Sequence, residues 1–219
     1  MGFSLETIVL WVVPVVFAIT LHEAAHGYVA KLFGDRTAEM LGRITLNPLK
    51  HIDPVGTLLV PGVLLALAWI NKSPPFVFGW AKPVPVNFGN LRNPKRDMIW
   101  VAAAGPGSNF LQALLWALLR VAVAPGSVWT SEGLFEMADI GFKVNLVLMA
   151  LNLLPLPPLD GGRVLAGLLP HGAASALARV EPYGLFIILA LLATGVLDDL
   201  MRPMMRIAAS AIGRIVGII

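Results

Sequence analysis

Ile8-Val-Leu-Trp-Val-Val-Pro-Val-Val-Phe-Ala-Ile-Thr-Leu21 carries no charge and runs directly into His22-Glu23-Ala24-Ala25-His26. The first part has the composition of a bilayer-crossing helix, which needs about 20 mostly apolar residues. The second part sets three ionisable groups into the same helical pattern. Such groups are expensive at membrane depth, so where they occur they mark function. On a helix, His22 and His26 lie four residues apart on one face. That pair can bind a metal ion, with Glu23 beside it as a base.

The rest of the chain agrees with a membrane setting. Of its 219 residues, 57% are hydrophobic and 13% charged, against roughly 45–50% and about 25% in soluble domains. There is no cysteine, so disulfides and thiolate ligands are excluded and any zinc site must use His, Asp or Glu. The net charge of +3 speaks to topology rather than to nucleic acid, and no nucleic-acid partner is expected. The start, Met1-Gly-Phe-Ser-Leu-Glu6, has no basic region, so the first helix reads as retained, not as a cleaved signal.

A first span is expected at residues 5–33, with others at 97–119, 141–159 and 183–200. The expected fold class is an all-α polytopic membrane protein, forming one domain over residues 1–219. Its catalytic core of three transmembrane helices occupies 5–165, with short membrane-associated strands or loops, and further helices follow at 176–219. Residues 55–70 are apolar but short, and basic residues flank them on both sides, among them Arg43 and Lys50 before and Lys72 and Lys82 after. Both flanks therefore read as cytoplasmic, which predicts a re-entrant hairpin. Arg43–Asn47 and Pro83–Asn87 are candidates for short strand edges. The tail from Arg202 to Ile219 reads as an amphipathic surface helix or a poorer last span.

A catalytic zinc takes three protein ligands and keeps one open position. The candidate for the third is Asp160, in Asn152-Leu-Leu-Pro155-Leu-Pro157-Pro158-Leu159-Asp160-Gly161-Gly162-Arg163. The prolines break the helix and the glycines leave room beside the carboxylate. The histidines lie toward the end of the first span and Asp160 lies at the end of the third. They meet only if both spans run the same way, which the single intervening span 97–119 achieves. The N-terminus is then expected outside, with the active site nearer the cytoplasmic side of the cell membrane. His51, Asp53 and His171 read as loop residues.

Residues 22–26, the Gly105-Pro-Gly-Ser-Asn109 stretch and residues 152–163 together resemble the site-2 protease family, the intramembrane zinc metalloproteases of peptidase family M50. The order of the three motifs matches, as does the spacing of eight from Asn152 to Asp160. The resemblance covers most of residues 5–165 and is closest to small members without PDZ or CBS domains. It implies that His22, His26 and Asp160 ligate one Zn2+ and that Glu23 is the general base. It also implies that Asn152 lines the site, holding the substrate strand or polarising the oxyanion. Asn109 is a candidate substrate-binding residue and, with Asn152, a candidate for the polar path that brings water to the site. The implied partners are a transmembrane protein or peptide substrate and the lipid bilayer. Two departures stand out: Ala24-Ala25 where many members have Phe-Gly or Leu-Gly, and a longer insertion from Lys50 to Phe78. A divalent-metal transporter and a catalytically silent helix-binding protein are the alternatives. Transport requires ligands at several depths, but the sequence offers one cluster, and a silent protein has no use for Glu23.

Overall fold

The computed structural model describes residues 5–70, 72 and 79–217. The first helix, α1, covers Leu5–Leu32. It ends where Gly34 takes a left-handed φ of 113°, a conformation that side chains with a Cβ rarely adopt. A one-turn helix α2 (Thr37–Met40) and a 3-10 turn (Pro48–His51) follow. A wound turn at Pro54–Leu59 then feeds α3 (Val60–Ile70). Next come α4 (Pro94–Ala122), α5 (Glu132–Asn152), α6 (Asp160–Leu168) and α7 (His171–Ala178), then α8 (Gly184–Ala193) and α9 (Val196–Val216). The described residues are helical or irregular and include no strand.

Helices α1, α4 and α5 pack against one another, α6 docks on α4, and α9 lies against both α4 and α5. Small residues make the close approach possible: Ala113, Ala117 and Ala208 lie in one buried cluster with Leu146, Met149 and Ile212. A second cluster joins Ala150 and Leu154 to Ile188, Leu197 and Met201, fixing α8 and α9 beside the end of α5. Among the described residues, two stretches are long and apolar enough to cross a membrane, Glu6–Leu32 and His171–Ala193.

Several expected boundaries move. The helix expected at 141–159 is α5, which starts at Glu132 under a Ser131 cap and stops at Asn152, before the prolines. The span expected at 183–200 is interrupted, because Gly195 at φ 76° separates α8 from α9. The tail does not stand apart as a surface helix, since Ala208 and Ile212 bury it against α4 and α5. Residues 54–70 form one continuous helical stretch. The re-entrant hairpin expected at 55–70 is therefore not found there, since Pro61 and Gly62 lie inside the helix and do not turn the chain. Neither 43–47 nor 83–87 is a strand. Pro83 and Pro85 have no N–H to give a ladder, which leaves every second donor missing. The two segments are instead tied by Arg43, whose guanidinium donates to Lys82 O at 2.9 Å.

Candidate metal centre

His22 and His26 lie one turn apart on the inner face of α1, both buried. The turn after α5 returns the chain so that Asp160 opens α6 beside them. Gly161 and Gly162 allow this: a Cβ on either would strike the backbone of Leu153–Pro157. Across from the histidines, α4 approaches through Gly105, where a Cβ would collide with both imidazoles. Gly105 therefore leaves the space the rings occupy.

The geometry converges on one point. His22 Nε2 lies 3.2 Å from Asp160 Oδ2, His26 Nε2 lies 3.3 Å from the same oxygen, and the two Nε2 atoms are 3.0 Å apart. Behind the rings, His26 Nδ1 is 2.7 Å from Val101 O. A backbone carbonyl only accepts, so His26 Nδ1 carries a proton and a neutral ring bears its lone pair on Nε2. His22 Nδ1 is 2.6 Å from Asn109 Oδ1, and donates likewise. Three lone-pair atoms thus crowd together, and Asp160 Oδ2 is buried without a hydrogen-bond donor. Buried polar atoms are nearly always satisfied. A single proton can lie along only one of the three contacts, whereas a cation among them meets all three. The donor set, two imidazoles and a carboxylate, suits a divalent ion of the zinc type. These three residues are the group among the described residues that could hold a metal.

Glu23 is half-buried next to this group, and its Oε2 accepts the backbone N–H of Val84 at 2.6 Å. The irregular segment Ala81–Val86 therefore passes beside the base at Val84. Its far end is held by Asp35, which is fully buried. Asp35 Oδ2 accepts Asn87 N–H at 2.7 Å, and Oδ1 accepts Asn90 Nδ2 at 3.0 Å, Thr37 N–H at 3.1 Å and the Thr37 hydroxyl at 2.5 Å. Burial alone would raise the Asp35 carboxyl. The donors from Thr37, Asn90 and Asn87 outweigh it and hold the group below its ordinary value.

Two cavities of about 390 and 340 Å³ meet at the site, and His22, Glu23, Trp80, Ala81, Asn152 and Pro158 line both. The larger is walled by apolar groups, including Ile19, Leu148, Leu151 and Ile188. Asn152 is part-buried at this junction, with its Nδ2 donating to Leu148 O at 3.0 Å. Asn109 is placed differently from expectation. It has no exposed surface and stands behind His22, with its amide nitrogen donating to Ala18 O and Asn145 Oδ1. Its reach is to a ligand candidate, not to a cleft. His51 is buried against Thr45 O, and Asp53 caps the turn at Val55 and Gly56. Sequence reasoning did not find Asn145, Gly105's role as cradle, or the Val84 N–H. The last leaves no trace in a sequence, because a backbone donor belongs to any residue but proline.

This arrangement is a candidate metal centre with a carboxylate beside it, and the comparisons with known proteins give it a class, the metalloproteases. The family model described as peptidase family M50 matches residues 117–195. A Bacillus subtilis (strain 168) protein named "Putative zinc metalloprotease YwhC" is 39% identical over 205 residues, covering 92% of this chain and 88% of that protein. "Putative zinc metalloprotease Rip2" of Mycolicibacterium smegmatis is 33% identical over 182 residues, covering 83% of this chain and 65% of that one. No solved structure matches. The chain belongs to peptidase family M50.

Proposed function

We propose that this protein is a multi-pass intramembrane metalloprotease. His22, His26 and Asp160 hold one zinc ion, and the enzyme cleaves peptide bonds in or beside transmembrane segments of other membrane proteins. The observation that carries the reading is the meeting of three lone-pair atoms within 3.0–3.3 Å, next to a carboxylate. The names of its relatives support zinc as the ion.

When bound, zinc supplies Lewis acidity toward a peptide carbonyl and toward water. The remaining work falls to the chain's own side chains. Glu23 takes a proton from water and returns it to the leaving nitrogen, as a general base and then a general acid. The Val84 N–H holds one carboxylate oxygen and leaves the other for that transfer. Asn152 spends one of its two amide hydrogens on Leu148 O, so the second is available to a substrate carbonyl. An apolar wall of Ile19, Leu148, Leu151 and Ile188 suits the side chains of a membrane segment.

The test uses the purified chain in vesicles with a reporter protein bearing one transmembrane helix. Cleavage within or beside that helix, abolished by a chelator and restored by zinc, is expected. An intact reporter together with site-dependent zinc flux would sink the protease reading in favour of transport.

A further inference from the structure

Asn145 stands in the apolar Val144-Asn145-Leu146 stretch of α5 with none of its surface exposed. A side-chain amide there is costly unless its groups find partners. Its Nδ2 donates to Gly141 O at 2.9 Å. A backbone carbonyl only accepts, so this contact fixes which end of the amide is nitrogen. Oδ1 then faces Asn109, whose Nδ2 donates to it at 2.9 Å and to Ala18 O at 3.2 Å. These contacts fix Asn109 in turn, with its Oδ1 toward His22 Nδ1 at 2.6 Å. The donors therefore run one way: His22 to Asn109, Asn109 to Asn145, Asn145 to the Gly141 carbonyl. The chain ends by leaving the His22 lone pair on Nε2, facing Asp160. His26 reaches the same tautomer by a shorter route, through Val101 O alone.

We propose that Asn145 is a positioning residue of the metal centre, which acts through Asn109 to lock His22 in its Nδ1–H tautomer and so sets the affinity for a divalent ion. This rests on the reading of His22, His26 and Asp160 as metal ligands. Asn145 Oδ1 is the nearer of the two acceptors that hold the Asn109 amide, and without it only the longer contact to Ala18 O at 3.2 Å opposes its turning over. A turned amide presents N–H to His22 Nδ1 and favours the tautomer with a proton on Nε2, where the ion binds. Outer partners of metal-binding histidines typically change metal affinity by about 10–100-fold. Asn145 acts at one remove, which places its effect at the lower end, about tenfold.

The experiment measures zinc affinity by chelator competition on the full chain in detergent, and reads the ring-nitrogen shifts of 15N-labelled histidines without metal. Asn145→Ala is expected to weaken zinc binding about tenfold and to move His22 toward the Nε2–H form. In an Asn109→Ala background the same change is expected to do almost nothing, because the relay is already cut. Affinity within about twofold of wild type with an unchanged tautomer would overturn the proposal, as would an equal loss in both backgrounds. Asn145→Leu, which keeps the volume, carries the same test if Asn145→Ala does not fold. A wild-type chain that binds no zinc would instead sink the metalloprotease reading, and the tautomer measurement would still decide the relay.

Discussion

Two buried aspartates separate what holds this fold from what it does. Asp35 has none of its surface exposed, and it receives four donors from Thr37, Asn87 and Asn90. Asp160 is nearly as buried, yet its Oδ2 meets only two imidazole nitrogens that have no proton to give. Both carboxylates lost water on folding. One was repaid in hydrogen bonds and the other was left short. A saturated carboxylate is structural, while one starved of donors among neighbouring lone pairs is a place for a cation.

The comparison breaks most directly at the ligands. His26→Ala is expected to reduce peptide hydrolysis to background while Asp35→Asn leaves the metal bound, measured as reporter cleavage and metal content. Equal metal loss in both variants would erase the distinction. Next in size, Glu23→Gln is expected to lower cleavage by about 10²–10⁴-fold, the usual contribution of a positioned general base, with the metal retained. Cleavage at the wild-type rate would remove Glu23 from the chemistry.

Asp35 sharpens the other side. Asp35→Asn replaces an acceptor of four donors with an amide that must itself be satisfied. It is expected to cost about 1–3 kcal/mol, read from unfolding in detergent, while the metal stays. The same carboxylate predicts a pH effect. Its folded pKa is lowered, so in acid the unfolded chain takes up the proton first. The stability it contributes is present above the ordinary aspartate value of about 4. That stability is lost as pH falls from there through the folded value. Acid unfolding of wild type below about pH 4 should therefore be steeper than that of Asp35→Asn; identical slopes would contradict the assignment. The smallest effect belongs to Glu39, a more exposed carboxylate paired with Lys31 and Arg36. Such surface pairs often contribute nothing measurable, and Glu39→Gln is expected to unfold like wild type.

The convergence of His22, His26 and Asp160 was legible because it rests on covalent spacing and helix register. His22 and His26 are four apart in an uninterrupted helix, and Asp160 follows a proline break that any reading must place at a helix end. The bounds of α5 were harder to read, because Glu132, Glu136 and Asp139 make its first turns look unlike membrane helix. The short strands failed for a reason visible in the chain itself, the prolines at 83 and 85. Asn145 could not be found, since one amide among Val and Leu belongs to no motif and gains meaning only from facing Asn109. Gly105 was quoted as part of a motif, but its purpose lies in the ring edges it lets in from another helix.

Metal analysis of the purified wild-type chain beside Asp160→Ala bears most directly on the central claim. One divalent ion per wild-type chain, lost when the carboxylate is removed, is the predicted result. A wild-type chain without metal, or an Asp160→Ala variant that binds as tightly as wild type, would contradict it.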